Sequence, residues 1–289
     1  MHSYHNQMKK IIILVIASND VEHERDLGTQ RKTWASRCPD NISVIFLRGW
    51  DNDYYFLDND TLYVPCREEY SLILTKTLLG IKYLLEHLKF DVLIRTNVST
   101  YFEGIRLNQE LNKPIYDYEF FGGYFDKTKL KHQDKKKSYE YISGAGIFMS
   151  KGAVNHLVKL NPRKYLGIAD DLAIFNYLIT YKDLRCIRIV RNNLHYTHIF
   201  IPTFYIRTKN SFDSNSSSIR MHLIDKYFTS SSLSMRIGSY LAIEKNEINE
   251  YRNHPEGIFR FLTKNRVVFW ALIKAKVKFH LPLYKSAGK

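Results

Sequence analysis

The chain has 289 residues, with 43 Lys or Arg against 29 Asp or Glu, a formal charge of +14. At 45% hydrophobic and 25% charged, the composition is globular and excludes a wholly disordered or fibrous protein. Cys38, Cys66 and Cys186 are too few and too scattered for a disulfide framework or a Cys-x-x-Cys zinc knuckle, and fit a reducing compartment.

The first apolar run, Ile11 to Ala17, follows Lys9-Lys10 and ends at Ser18-Asn19-Asp20. It is too short for a membrane span and lacks a small-residue cleavage site, so it reads as the first buried strand of a parallel sheet. Ile42–Leu47, Leu62–Val64 and Val92–Ile94 repeat the strand pattern, and Tyr70 to Leu88 carries the apolar spacing of a largely buried helix. This alternation predicts an α/β fold with a mostly parallel sheet. A strand over Ile142–Met149, helices near Lys151–Leu160 and Asp171–Tyr181, and a strand over Cys186–Val190 follow. The expected organisation is an α/β domain over 1–207, a Ser/Asn-rich loop or linker over 208–218, and a basic, mainly helical region over 219–289.

From Ile258 to the end there is no acidic residue, while Arg260, Lys264, Arg266, Lys274, Lys276, Lys278 and Lys285 are basic. Helical projection sets most of these charges opposite Phe261, Leu262, Phe269, Leu272 and Ile273. Such a segment suits an anionic membrane surface, the other reading being a solvated helix packed on the main domain. Basic residues are not interleaved with a known nucleic-acid module, so no nucleic-acid partner is expected.

A phosphate-binding P-loop, a dinucleotide fingerprint and a Gly-x-Ser-x-Gly nucleophile are all absent. The Asp-x-Asp triplets Asp51-Asn52-Asp53 and Asp58-Asn59-Asp60 lie in a polar, turn-rich stretch without further convergent oxygens, which argues against a metal site. Asp170-Asp171 precede an apolar helical pattern. They are either a helix-start pair favoured by the dipole, or a general base held at a helix entrance.

In order along the chain, five motifs resemble those of the β1,3-galactosyltransferase and fringe-type glycosyltransferases. They are Arg31-Lys32-Thr33-Trp34 with Val44-Ile45-Phe46-Leu47-Arg48-Gly49, then Glu69-Tyr70-Ser71-Leu72-Ile73-Leu74-Thr75-Lys76-Thr77, then Val92-Leu93-Ile94-Arg95-Thr96, then Tyr141 to Ser150 around Ser143-Gly144-Ala145-Gly146, and finally Asp170-Asp171. The resemblance covers roughly residues 10–200. It implies a GT-A-type fold, a mixed, mostly parallel sheet flanked by helices, holding a nucleotide-sugar at the carboxyl ends of the strands. It further implies Asp171 as the base of an inverting transfer of a hexose or N-acetylhexosamine from a UDP-linked or similar donor. Arg95, Asn97, Ser99, Ser143, Gly144, Ala145, Gly146, Asp170, His195 and His198 would contact the donor. The small residues Gly144, Ala145 and Gly146 would let sugars approach the backbone; Arg95 would meet the diphosphate or pair with a core carboxylate. Trp34 would anchor packing, and Lys76 would be a buried charge requiring a carboxylate.

The chain departs from the family at Thr96-Asn97-Val98-Ser99-Thr100, where the acidic triplet that holds Mn²⁺ or Mg²⁺ is missing. Catalysis is then metal-independent, or metal is held by other groups (Asp170, His195 and His198), or transfer has been lost. The expected partners are a nucleotide-sugar, a glycan or lipid-linked oligosaccharide acceptor and an anionic membrane, at the cytoplasmic face of a bacterial membrane in surface-polysaccharide synthesis. The alternative is a non-catalytic, glycan- or nucleotide-binding pseudoglycosyltransferase.

Overall fold

A computed structural model describes residues 8–132, 135–189, 192–193, 205–208 and 217–230. Six consecutive apolar residues form β1 (Ile11–Ile16), and all six are buried because the strand is covered on both faces. It lies between two parallel neighbours, β2 (Ile42–Trp50) and β5 (Val92–Asn97). Ile12, Leu14 and Ile16 enter one core and Ile11, Ile13 and Val15 the other, as strand alternation requires. Each such side chain contributes about 1.5–3 kcal/mol by leaving water.

Around this centre β3 (Phe56–Asp58), β4 (Thr61–Pro65), β7 (Phe120–His132), β8 (Lys135–Ser150) and β9 (Arg185–Arg188) complete an eight-stranded sheet of order β3-β4-β2-β1-β5-β8-β7-β9. Four of its seven pairings, β4·β2, β2·β1, β1·β5 and β7·β9, are parallel. The sheet is therefore mixed, mostly parallel and flanked by helices. One face packs against α2 (Ile73–His87), α4 (Lys151–Leu157) and α5 (Asp170–Leu178). The other carries Trp34, α3 (Gly104–Leu111) and α6 (Ser217–Thr229). Trp34 is 2% exposed and meets Phe102 edge-on, the packing anchor expected of it.

Three features were not expected from the pattern. The polar helix α1 (Val21–Lys32) has only a narrow apolar contribution, and starts where the Asp20 carboxylate accepts the His23 N–H. Gln30 on that helix is fully buried and donates to the carbonyls of Val98 (2.8 Å) and Thr100 (3.0 Å). Second, β7 and β8 are far longer than the apolar run Ile142–Met149. Third, Ser217 begins a helix rather than ending a linker. Its hydroxyl lies 2.6 Å from that of Thr208, and Met221 and Ile224 of α6 are buried in the second core. Buried Arg220 donates to the Thr208 carbonyl. A small sheet of β10 (Asn192–Asn193), β11 (Tyr205–Arg207) and β6 (Thr100–Phe102) ties residues 205–207 to the same body. No helix among the described residues is long and apolar enough to cross a membrane. The tail from Ile258 lies outside the described residues.

Candidate active site

The site grows from an irregularity in one strand. β8 runs antiparallel to β5, with Ser150 opposite Val92 and Ile147 opposite Arg95. Against β7 its register jumps from Gly123↔Ile147 to Phe125↔Ile142, so two steps of β7 span five of β8. Ser143-Gly144-Ala145-Gly146 is thus bulged out of the ladder at the C-terminal end of β5, freeing backbone groups to meet side chains. The Gly144 carbonyl accepts from Arg95 Nη1 (2.7 Å), and its N–H donates to Asp171 Oδ2 (2.9 Å). The Ala145 carbonyl accepts from the hydroxyls of Thr96 (2.7 Å) and Thr100 (3.0 Å). A Cβ on Gly144 would lie 2.6 Å from Arg95 Nη1 and 3.1 Å from Asp171 Oδ2. The space left by the missing side chain is taken up by this pair, not kept open for sugars.

Asp170 and Asp171 are the first two residues of α5, where exposed N–H groups and the helix dipole favour negative charge. The position before them, Ala169, supplies no side-chain cap. Asp170 pairs with Arg95 Nη2, the two side chains being 13% and 5% exposed. Of the two readings of Arg95, the carboxylate partner is the one realised. Among the described residues Asp171 has no cation of its own; its oxygens accept from the N–H groups of Gly144 and Leu172. Burial pushes its carboxyl above the usual carboxylate range, and the Asp170 charge adds to this, while Arg95 and the two N–H groups oppose it. The result is an enclosed carboxylate with heightened proton affinity at the carboxyl end of a parallel sheet.

Two residues further on, Asn97 is used differently. Its Oδ1 accepts from the Ser99 N–H (3.2 Å) and the Ser99 hydroxyl (2.9 Å), and shares with the Ala145 carbonyl the single proton of the Thr100 hydroxyl, 3.1 Å away. Val98, Ser99 and Thr100 are buried, and Thr208 donates to the Ser99 carbonyl through both its N–H (2.7 Å) and its hydroxyl (2.9 Å). The 97–100 turn is closed on itself, with Asn97 Oδ1 and the Ser99 hydroxyl engaged within it.

The surrounding rim holds cations already matched to acids. Lys76 is 3% exposed and donates to Glu68 Oε2 (2.6 Å) and to the Ala17 carbonyl (2.6 Å), the carboxylate its burial demanded. Arg48 pairs with Glu24 at 2.5 Å, which holds that carboxyl below its usual range. Neither Glu24 nor Glu68 was singled out by the sequence; each meets its cation only through the packing of separate elements. A shallow groove runs from Asp170 past Ala169, Ile168, Leu166 and Tyr165 to Ser71 and Tyr70, the last 83% exposed.

The donor set of the described residues does not fit a divalent cation. Among the described residues no three His, Cys, Asp or Glu converge on one point. Asp170 is committed to Arg95, and Asp60 of the second Asp-x-Asp triplet to Arg31, at 2.7 and 2.9 Å. His195 and His198 lie outside the described residues.

No family model matches the chain, and no curated protein matches it. Among solved structures, it is similar to a galactosyltransferase, LgtC, in complex with donor and acceptor sugar analogues. That likeness has 11% identity and a TM-score of 0.46, and covers 79% of this chain and 99% of that one. It is also similar to a glycosyltransferase involved in glycosylation of the major capsid of PBCV-1, with 10% identity, a TM-score of 0.47, and 74% and 98% of the two chains covered. A third likeness, to A197 from STIV, has 10% identity, a TM-score of 0.36, and covers 62% and 82%.

Proposed function

We propose that this chain is an inverting glycosyltransferase of GT-A type, with Asp171 as the catalytic base. The observation that carries the reading is the Asp171 carboxylate itself. It is enclosed, raised in proton affinity, oriented by a backbone N–H from a β-bulge, and set where open α/β sheets hold ligands. Asp171 takes the proton of an acceptor hydroxyl as that oxygen bonds to the anomeric carbon; the bond from that carbon to the donor phosphate breaks, and the nucleoside diphosphate leaves with its electron pair. The donor is a nucleotide-linked hexose or N-acetylhexosamine, UDP-linked in keeping with the resemblance. The acceptor is a glycan, free or lipid-linked, and the acid-free tail from Ile258 supports work at the cytoplasmic face of an anionic membrane in surface-polysaccharide assembly.

With no acid triplet at Asn97–Ser99, charge on the leaving diphosphate falls to N–H groups and cations. Arg95 is the nearest in the chain and keeps one buried N–H, at Nε, without a partner among the described residues. The competing reading, a binding protein without turnover, is favoured by one observation: Arg95 is already spent on Asp170. Donor consumption, with and without candidate acceptors, separates the two. Transfer that disappears in Asp171→Asn while the donor still binds supports the enzyme; donor binding with no turnover under any acceptor supports the binding protein.

A further inference from the structure

The pairing of β7 with β8 extends well past the sheet that anchors it. β8 is paired to β5 only through 147–150, and β7 to β9 only through 120–123. From Phe125↔Ile142 out to His132↔Lys135 the two strands pair with each other and, among the described residues, with no third strand. Eight residues per strand make a ribbon about 25 Å long. Because β8 runs against β5, this ribbon leaves the sheet at the C-terminal ends of the parallel strands, the edge that carries Asp171. Its root is built into the site: Ile142 is buried, and Phe125 packs edge-on against Phe175 of α5, 5.8 Å between ring centres.

The ribbon's sequence is unlike the rest of the sheet. Lys127, Lys129, Lys131, Lys135, Lys136 and Lys137 fall in eleven residues with a single acid, Asp134, and no arginine. The register places Lys127, Lys129 and Lys131 at alternate positions of β7, with Lys136 the partner of Lys131 in β8. Glu140 stands across from Lys127 at the root and is held by it and by Arg188 (3.3 Å). Like charges directly opposite destabilise a strand pair, and a two-stranded ribbon is only marginally stable alone. Lys127 is matched by Glu140, but Lys131 stands against Lys136, and the remaining lysines add like charge toward the far end of the ribbon that an anionic surface would offset.

We propose that this lysine ribbon docks on an anionic lipid surface and so turns the Asp171 edge of the sheet toward it. Lysine ammonium groups act as strongly hydrated point charges suited to a diffuse field, whereas recognition of individual phosphates favours the arginine fork. The inference rests on the proposed function only in naming the site that comes to face the lipid.

The test is binding of the full chain to phosphatidylcholine vesicles with and without phosphatidylglycerol, read by co-sedimentation and independent of turnover. The variant Lys127→Gln/Lys129→Gln/Lys131→Gln/Lys136→Gln should lose about fivefold in affinity per lysine, on the order of several hundred-fold together. The corresponding Lys→Arg quartet should retain binding, and Lys135→Gln/Lys136→Gln/Lys137→Gln provides an independent loss should the first variant misfold. Unchanged vesicle binding in a folded Gln variant overturns the proposal, as does equal binding to neutral vesicles. Loss of binding to an RNA homopolymer with vesicle binding intact also overturns it, and reassigns the ribbon to nucleic acid. An inactive chain that still binds through its ribbon would sink the transferase reading alone.

Discussion

Arg95 and Asn97 stand two residues apart at the end of β5, both folded into polar contacts, and their electrostatic situations are opposite. Around Arg95, the guanidinium pairs with Asp170, and the adjacent Asp171 is left with a raised proton affinity and backbone N–H groups to hold it. Around Asn97, three donors converge on one neutral oxygen, and nothing charged is left over. Polar satisfaction without residual charge builds a turn; enclosed charge without full compensation builds reactivity. The proposed chemistry draws on the first place, and the second serves as framework.

The sharpest way to break this contrast is Asp171→Asn. If Asp171 is the base, turnover falls by about 10²–10⁴-fold while donor binding persists. Stability should move the other way. A carboxyl whose proton affinity is raised on folding contributes stability below its ordinary value and loses it as pH rises through the folded one. At neutral pH the wild type bears that cost and the isosteric amide does not, since the amide oxygen can still accept from Gly144. Thermal melts should therefore show the variant at least as stable as wild type at pH 7, with the advantage shrinking on acidification. Activity of the wild type should fall on an acid limb displaced above the usual carboxylate range. A destabilised variant with near-normal turnover would make Asp171 an ordinary helix-start residue.

Next in size is Arg95→Met. Removing one partner of a buried ion pair typically costs about 3–5 kcal/mol, because the other charge is left uncompensated. Asp170 would be stranded beside Asp171, so denaturant melts should show a loss of that order, larger at pH 7 than in acid, where the acids neutralise. A loss below about 1 kcal/mol would mean that the pair is solvated and the cluster is not under charge stress.

How far these two places could be read beforehand follows from their physics. β1, β2, β4 and β5 are continuous apolar runs because both faces are covered, and they were legible as such. Asp170-Asp171 was legible as a pair at a helix start. What no local pattern carries is the partner across the fold: the bulge that brings Gly144 to Asp171 depends on a register jump between β7 and β8. The closed turn at Asn97 depends on the local hydrogen bonds within 97–100, and Thr208, from over a hundred residues away, seals it. α1 escaped because its order comes from a cap and from Gln30 bonding the carbonyls of that same turn, not from an apolar face. The serines at 217–218 had linker composition, but Ser218 lies 2.5 Å from the Thr29 hydroxyl and Ser217 bonds Thr208.

On the framework side, Asn97→Ala removes the acceptor shared by Ser99 and Thr100. Each net hydrogen bond contributes about 0.5–1.5 kcal/mol, so a loss of about 1–3 kcal/mol in stability is expected. Turnover at a temperature where the variant stays folded should change by less than about threefold, far less than for Asp171→Asn in free-energy terms. A large drop in donor affinity without loss of stability would put Asn97 back among the donor contacts.

The smallest expected effect is the most discriminating for the missing triplet. A donor diphosphate brings negative charge that must be offset as the leaving group departs. A hard cation needs several convergent oxygens, and Asn97 Oδ1 is already taken by three donors, while Val98 and Ser99 offer no carboxylate. Chelation by EDTA should therefore leave transfer unchanged within about twofold, a barrier change of about 0.4 kcal/mol, and titrating Mn²⁺ or Mg²⁺ back should add nothing. Asn97→Asp sharpens the point. A carboxylate accepts from the same Ser99 and Thr100 donors, so the turn should survive with stability within about 1 kcal/mol. One restored acid does not rebuild a site that needs several, so the variant should remain indifferent to EDTA. Strict metal dependence of the wild type would show that the cation is held elsewhere. The ligands to test would then be Asp170, which would have to leave Arg95, together with His195 and His198.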